Sequence, residues 1–172
     1  MAAQATAPRE ERRWATLLFA DLTGFTRLSE QLDPEDVKAL AHRCTEGLSE
    51  EVRRFGGTVI NIAGDQVAAV FGAPVAHEDD AERVVRAALA MRDCPLQDNA
   101  SGPIQVHVGL NTGEVMAGLM GPKEHRGYTV MGDTTNVAAR LMSAASARMA
   151  VVVFIRFLPA GFDRRSPSAR MD

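Results

Sequence analysis

Two aspartates stand at the ends of short apolar segments, and their carboxylates are the first candidates for chemistry. Asp21 ends the run that starts at Trp14, and Asp65 lies in the two-residue turn between two β-rich segments. Carboxylates at neighbouring strand ends of one sheet can converge on a hard divalent cation such as Mg²⁺, which takes oxygen ligands and shares them with substrate phosphates. Taken singly, Asp21 is also typical of a cap on the following turn, and Asp65 of an ordinary hairpin residue.

The residues that follow Asp21 are suited to bind phosphate. Gly24 lets the backbone from Leu22 to Thr26, Phe25 included, approach a ligand closely and present successive N–H groups to phosphate oxygens. A metal site and a phosphate cradle would then be adjacent.

Asn136 and Arg140 form a second candidate pair, in a segment that reads as a helix. Side chains four residues apart on a helix lie on one face, about 5–6 Å apart, so both can reach one substrate. Arginine offers a planar fork of donors for phosphate, and asparagine offers both a donor and an acceptor. The alternative is that both side chains point into solvent, which is the usual state of an isolated pair at this spacing.

The elements that must position these residues can be predicted from periodicity and breakers. A buried strand runs from Trp14 and stops at Asp21, and a tight hairpin joins strands at 58–63 and 66–71. Between them, Asp33 and Pro34 begin a long amphipathic helix that Gly56-Gly57 ends, with one break expected near Gly47.

The second half of the chain predicts a helix after residues 78–80 and before Pro95, then a strand at 104–110. Gly113, Gly118 and Gly121 indicate turns, and a third helix at 136–146 is expected to be capped by Thr134 or Thr135. One more strand is expected at 151–158. The order predicts an α+β fold with a ferredoxin-like, split βαβ sheet and helices on one face, as a single domain at 14–158 between tails at 1–13 and 159–172.

Composition narrows the function classes. The chain has 172 residues, 46% of them hydrophobic, which fits one globular domain, and its net charge of -3 argues against nucleic-acid binding. The longest apolar run, residues 149–155, falls far short of the roughly 20 residues that span a membrane. With no export signal and no cysteine framework, since Cys44 and Cys94 read as buried apolar groups, we expect a cytoplasmic protein.

Other clusters of chemically capable residues favour structural roles. The acids in residues 77–80 stand directly before a helix, where they cap it and complement its dipole. His42, His107 and His125 have no nearby cysteine or acid at zinc spacing, so we interpret them as structural or surface residues.

Taken together, these segments resemble the class III nucleotidyl cyclases, the family of adenylyl and guanylyl cyclase catalytic domains. The resemblance covers about residues 14–146 and keeps the family's motif order. It is carried by residues 18–26 (LFADLTGFT), 56–65 (GGTVINIAGD), 69–72 (AVFG), 108–113 (VGLNTG) and 128–141 (YTVMGDTTNVAARL). A diguanylate cyclase would share much of the topology, but its GG[DE]EF hairpin is replaced here by AGDQ at 63–66.

The resemblance implies a set of roles. It maps the metal site onto Asp21, Leu22 and Asp65, with two Mg²⁺ or Mn²⁺ ions, and the transition-state pair onto Asn136 and Arg140. Phosphate binding falls on the residues at 24–26. It also implies a homodimer in which each active site takes its metal ligands from one subunit and its Asn/Arg pair from the other. The implied reaction is attack of the ribose 3′-hydroxyl on the α-phosphorus, which gives a cyclic nucleotide and pyrophosphate.

Base choice in the family is set largely by two positions, which map onto Asn61 and Thr129. Adenylyl cyclases commonly have Lys and then Asp or Thr there, whereas guanylyl cyclases have Glu and Cys. Thr129 fits the adenylyl pattern, and the Asn61 amide can both donate to and accept from a base. The resemblance therefore favours an adenylyl cyclase that makes cyclic AMP for signal transduction, with GTP as the alternative substrate.

The C-terminal part departs from the family. Family domains continue through a strand and hairpin that carry a triphosphate-binding lysine, but this chain has lysine only at positions 38 and 123. The fold is therefore expected to be shortened at this end. A weakly active or inactive cyclase-like module, which binds nucleotide or dimerises, is the second functional hypothesis.

Overall fold

The computed structural model describes residues 10–93, 97–98, 102–120, 127–144 and 151–154. Residues 1–9 and 159–172 of the expected tails, together with Cys94, Gly121 and His125, lie outside these ranges. Within them the chain forms eight strands and four helices. These are β1 (Glu11–Thr23), α1 (Phe25–Ser29), α2 (Pro34–Arg54), β2 (Thr58–Ala63), β3 (Gln66–Phe71), α3 (Asp80–Asp93), β4 (Gln97–Asp98), β5 (Gly102–Pro103), β6 (Gln105–Met120), β7 (Gly127–Met131), α4 (Asp133–Ala144) and β8 (Val151–Phe154).

The main sheet has the strand order β2-β3-β1-β6-β7, and each neighbouring pair is antiparallel. β1 pairs along one edge of β6, whose other edge is shared: β8 lies parallel to it at Val108–Asn111, and β7 pairs with its last part. The short strands β4 and β5 form a separate ribbon. This is the predicted α+β fold, with the hairpin of β2 and β3 as expected.

The helices lie on both faces of the sheet. α2 and α3 cover the face that carries Leu18 and Val108, and their buried residues form one core with it. α4 packs on the opposite face, where its Ala138 joins a second cluster with Leu17 and Val70. The expected one-sided arrangement therefore holds for α2 and α3, whereas α4 lies on the other side. Strand alternation explains the two cores, because buried residues stand on both faces of β1.

The sheet is strongly curved, because its two edge strands β2 and β7 come into contact. Ile60 of β2 and Tyr128 of β7 pack against the same cluster as Ala138. We call the face that carries this cluster the concave face. It carries α4, and it also carries Asp21, which stands on the same face of β1 as Leu17 and Phe19.

Two details of the predicted helices need correction. The first is the break expected near Gly47, because α2 is continuous through that residue. The helix ends as predicted: Gly56 has φ 82°, and the Gly57 N–H donates to the Val52 carbonyl in a Schellman turn. α4 begins at Asp133, so the expected start at 136 was wrong. Thr134 lies inside the helix, and its hydroxyl donates to the Glu114 carbonyl rather than capping.

The strand boundaries also differ. β1 begins at Glu11, so it includes the last three residues of the expected N-terminal tail, and it runs two residues past Asp21. β6 continues to Met120 through Gly113 and Gly118, which were wrongly taken as turn residues. These glycines allow close packing: a Cβ on Gly113 would meet the Thr134 hydroxyl oxygen at 2.5 Å, and one on Gly118 the Glu10 Cα at 2.8 Å.

Within the described part of the chain, no helix combines the length and the apolar character that crossing a membrane requires.

Candidate active site

The structure brings Asp21 and Asp65 together. Asp21 lies near the end of β1 on the concave face, and Asp65 lies in the turn between β2 and β3, the strand that pairs with β1. Their carboxyl groups are close enough to hydrogen-bond to each other when one is protonated. Both side chains are half-buried. The predicted convergence of the two acids is therefore what the fold produces.

Burial raises the pKa of the Asp21 carboxyl above its ordinary value, and repulsion from the Asp65 carboxylate raises it further. The Leu22 backbone N–H opposes this shift by donating to the Asp21 Oδ1 at 3.1 Å. Among the described residues, neither acid forms an ion pair with lysine or arginine. The site thus holds two carboxylates whose charges are incompletely balanced by this chain.

This donor set fits a divalent cation. Two half-buried carboxylates provide the hard oxygen ligands that Mg²⁺ and Mn²⁺ prefer, and a cation between them would relieve their repulsion. Leu22 has a buried, apolar side chain, so its backbone carbonyl is the only group by which it could contribute. Within the described ranges no three His, Cys, Asp or Glu residues form a cluster that could hold a metal.

The segment after Asp21 turns sharply and begins the short helix α1. Gly24 has φ 77°, a left-handed conformation, and a Cβ there would have no neighbour within 4 Å. The N–H groups of Phe25 and Thr26 belong to the first turn of α1, so they have no acceptor within the helix. These donors and the half-buried Phe25 ring lie four and five residues beyond Asp21. The donors therefore follow closely on Asp21, and their binding of phosphate stays a prediction.

The second candidate pair lies on α4, which is packed tightly on β6. A Cβ on Gly109 would be 2.4 Å from both the Ala138 carbonyl oxygen and the Met142 nitrogen. At the other end of α4, the buried Asn111 side chain donates to the Thr134 carbonyl at 3.0 Å. These contacts fix which face of α4 meets the sheet.

Asn136 and Arg140 lie on the outer face of this helix. Thr134, Ala138 and Met142 are buried against the sheet, whereas Asn136 and Arg140 are exposed. With 3.6 residues per turn, positions two residues before and after Ala138 point roughly away from the sheet. The single chain therefore does not bring this pair to Asp21 and Asp65, although it places them on the same concave side.

The two expected base-selecting residues lie on edge strands that meet. Asn61 is exposed on β2, opposite Ala68, at a bulge in the ladder with β3. Thr129 is half-buried on β7 and alternates with Tyr128 and Val130, whose side chains pack on the concave face. The structure brings the two strands together, but Asn61 starts from the concave face and Thr129 from the other face of β7.

His107 is a site residue that the sequence interpretation missed. It lies opposite Asp21 in the β1–β6 ladder, and its charge lowers the pKa of the Asp21 carboxyl. The sequence interpretation did not place it beside Asp21, because the sequence alone does not give the register of two strands so distant in the chain. The alternation of residues 104–110 could have shown only that it shares a face with Gly109.

The other clusters have local structural roles. The Asp80 carboxylate accepts the His77 N–H at 2.6 Å at the start of α3, and Asp79 forms an ion pair with Arg83 at 2.7 Å. These contacts agree with the expected capping role of residues 77–80. Cys44 is buried in the core, as predicted, and His42 is exposed on α2.

The comparisons with known proteins agree with this geometry. Residues 8–153 match the family described as the adenylate and guanylate cyclase catalytic domain. The chain is 40% identical over 136 residues, or 76% of its length, to adenylate cyclase 1 of Rhizobium meliloti (strain 1021), of which it covers 20%. It is 34% identical over 134 residues, or 77% of its length, to an adenylate cyclase of Mycobacterium tuberculosis, of which it covers 30%.

Solved cyclase structures share the fold. The adenylyl cyclase CyaB from P. aeruginosa superposes with a TM-score of 0.78 at 30% identity, over 84% of this chain and 78% of that one. The guanylyl cyclase Cya2 gives 0.77 at 31% identity, over 85% and 76%. The chain therefore belongs to the family of adenylate and guanylate cyclase catalytic domains.

Proposed function

We propose that this chain is an adenylyl cyclase, which converts ATP to 3′,5′-cyclic AMP and pyrophosphate at sites shared by two copies of the chain. One observation supports this best. The chain holds two acids suited to a metal, but it turns Asn136 and Arg140 outward, where a second copy can use them. In a two-fold dimer, each site would combine the acids of one chain with the Asn/Arg pair of the other.

The acids and the turn after them would bind the triphosphate end of the substrate. Asp21 and Asp65 would hold two divalent cations, Mg²⁺ or Mn²⁺. The N–H groups of Phe25 and Thr26 would donate hydrogen bonds to phosphate oxygens. When bound, the cations would lower the pKa of the ribose 3′-hydroxyl and neutralise charge on the departing pyrophosphate.

The partner chain would supply the transition-state groups. The Arg140 guanidinium would donate to the phosphoryl oxygens on which negative charge increases as the 3′-hydroxyl attacks the α-phosphorus. The Asn136 amide would orient the ribose, because it can donate and accept at once. Neither side chain has a described partner within its own chain that would compete for it.

The base would lie near the junction of β2 and β7. Asn61 is exposed there and free to contact an adenine ring nitrogen, and Thr129 agrees with the adenylyl pattern. An amide at position 61 discriminates less sharply than a charged group, because it can adapt to a donor or an acceptor. We therefore expect ATP to be preferred over GTP by a modest factor.

A complementation assay tests the proposal. Purified protein is given ATP or GTP with Mn²⁺, and cyclic nucleotide is measured for the wild type, Asp65→Ala, Arg140→Ala and a mixture of the two variants. We expect each variant alone to lose on the order of 10²–10³ in rate, since each lacks a group that stabilises the transition state. The mixture should regain part of the activity, because a mixed dimer retains one complete site.

Each failure has a distinct meaning. If subunit exchange is shown by mass spectrometry and the mixture stays inactive, the site is not shared between chains. If the wild type turns over GTP faster than ATP, the chain is a guanylyl cyclase. If it binds nucleotide and dimerises without forming product, it is the cyclase-like module of the second functional hypothesis.

A further inference from the structure

Besides sharing an apolar cluster with it, the hairpin that carries Asp65 is joined to the helix that carries Arg140 by a side-chain hydrogen bond. Gln66 donates its amide N–H to the Met142 sulfur, with 3.6 Å between Nε2 and Sδ. Among the described residues this is the only hydrogen bond of the Gln66 side chain. We propose that Gln66 and Met142 are positioning residues that couple the two active sites of the dimer, an inference that rests on the proposed function.

Met142 is held firmly, so it can fix the position of the hairpin. Met142 is only 5% exposed, and its backbone nitrogen would lie 2.4 Å from a Cβ on Gly109. At the start of α4, the Thr134 hydroxyl donates to the Glu114 carbonyl at 2.9 Å. Because α4 packs on β6 near both of its ends, a shift of Met142 would move the helix as a unit rather than be absorbed by local rearrangement.

The hairpin itself has more freedom. Gly64, at its tip, has φ 63°, and no atom lies within 4 Å of where its Cβ would be. Asp65 follows it directly and is repelled by Asp21. Gln66 is therefore the nearest residue to Asp65 whose side chain is bound to another element. A displacement of Asp65 must either carry Met142 with it or break this contact.

The contact joins different active sites. In the proposed dimer, Asp65 of one chain belongs to one site, while Asn136 and Arg140 of the same chain belong to the other. Filling the first site would order the hairpin, and Gln66 would transmit that order to the C-terminal half of α4. The second site then needs less ordering when it binds, which gives positive cooperativity.

Calorimetry with a substrate that cannot react tests this directly. The probe is 3′-deoxy-ATP with Mn²⁺, titrated into the wild-type dimer. We expect the second site to bind about threefold more tightly than the first, the scale of one weak hydrogen bond. Gln66→Leu and Met142→Leu should each make the two sites equal, because leucine roughly keeps the volume of either side chain without the donor or the acceptor.

The matched control is Ser143→Ala. Ser143 follows Met142 directly and is exposed, and among the described residues it donates only to the Ala139 carbonyl of its own helix. This variant should keep the cooperativity of the wild type. A general effect of altering the end of α4 would instead appear in the control as well.

The mixed dimer of Asp65→Ala and Arg140→Ala chains locates the effect. In this mixed dimer only one site is complete, and its two acids come from the Arg140→Ala chain. Adding Gln66→Leu to that chain should raise the Mn²⁺ concentration that gives half-maximal activity by about threefold. Gln66→Leu in the Asp65→Ala chain should leave that concentration unchanged. A merely destabilising substitution would act alike from either chain.

Two results would overturn the inference while the proposed function stands: equal, independent sites in the wild type, or cooperativity that survives in both leucine variants. Absence of nucleotide binding and of product in the wild type would instead refute the proposed function, and the inference with it.

Discussion

On the concave face of the sheet, Asp21 and Asp65 are held against each other at the cost of charge repulsion, whereas Asn136 and Arg140 extend into solvent from the outer side of α4. The acids are fixed by the β1–β3 ladder and by a tight turn. The Asn/Arg pair is fixed only through the helix that carries it. The first half of the proposed site is thus assembled within the chain, and the second half is displayed for another molecule.

If the proposed function is right, one chain carries every residue assigned to the reaction but cannot complete an active site without a second copy. Side chains that must meet a cation can be gathered by strand pairing, because neighbouring strands lie about 4.8 Å apart. Side chains that point away from the sheet can reach the same substrate only from a second chain. Substitutions that affect only the acid pair, or only the Asn/Arg pair, therefore test whether the proposed site is divided in this way.

The largest effect is expected for Asp21→Asn, compared with Asn136→Ala. Both should lower cyclase activity by about 10²–10³, since each removes a group needed in the transition state. Only Asp21→Asn should also stabilise the metal-free protein at neutral pH, because it removes the repulsion of Asp65. Product formation and urea unfolding measured on both variants check this. Equal stability of Asp21→Asn and the wild type would contradict the repulsion that we describe.

The next largest effect concerns the packing of α4 on β6. Gly109→Ala should lower the free energy of unfolding by about 2–3 kcal/mol, because the new methyl group would overlap the backbone of α4. The control is Gly127→Ala, which places the same group in open space on β7. Chemical denaturation of both variants is the measurement, and a Gly109→Ala protein as stable as the control would show that α4 does not pack as described.

A smaller effect is expected in base choice. Asn61→Lys should raise the ratio of ATP to GTP turnover by about tenfold, because a cationic donor favours the adenine ring nitrogen over guanine groups. The control is Ile62→Lys, which adds the same charge to β2 one residue further on, facing the other side of the strand. Steady-state kinetics with ATP and with GTP measure this ratio for both variants. An equal change in the two variants would mean that charge near the site, rather than position 61, sets the preference.

The smallest effect is on the pH dependence of stability. The pKa of Asp21 is raised in the folded state above its ordinary 3.8, so its contribution is favourable below that value. This contribution is lost as the pH rises through the raised value. We expect this loss to be small, since solvent screens this half-buried group. Urea unfolding of the metal-free protein between pH 4 and neutrality measures it, and Asp21→Asn should lack this part of the pH dependence.

Part of the site could be predicted because its signals are local. The residue types after Trp14, the two-residue turn at Gly64-Asp65 and the spacing of Asn136 and Arg140 each name an element and a position within it. His107 could not be found in this way, since its place beside Asp21 depends on the register of β1 against β6. Gly113 was misinterpreted for a related reason: its role is to admit Thr134, which is contributed by a different element.

The sequence by itself determined which groups are available and which elements carry them, because hydrophobic period, turn residues and motif spacing act over a few residues at a time. The tertiary structure decided which of these groups meet. Strand pairing brought Asp65 and His107 to Asp21, and the packing of Gly109 under Ala138 turned Asn136 and Arg140 outward. Contacts between distant segments decide which side of a helix meets the sheet and which residues of two paired strands lie opposite each other. No pattern within a few residues of sequence contains this information.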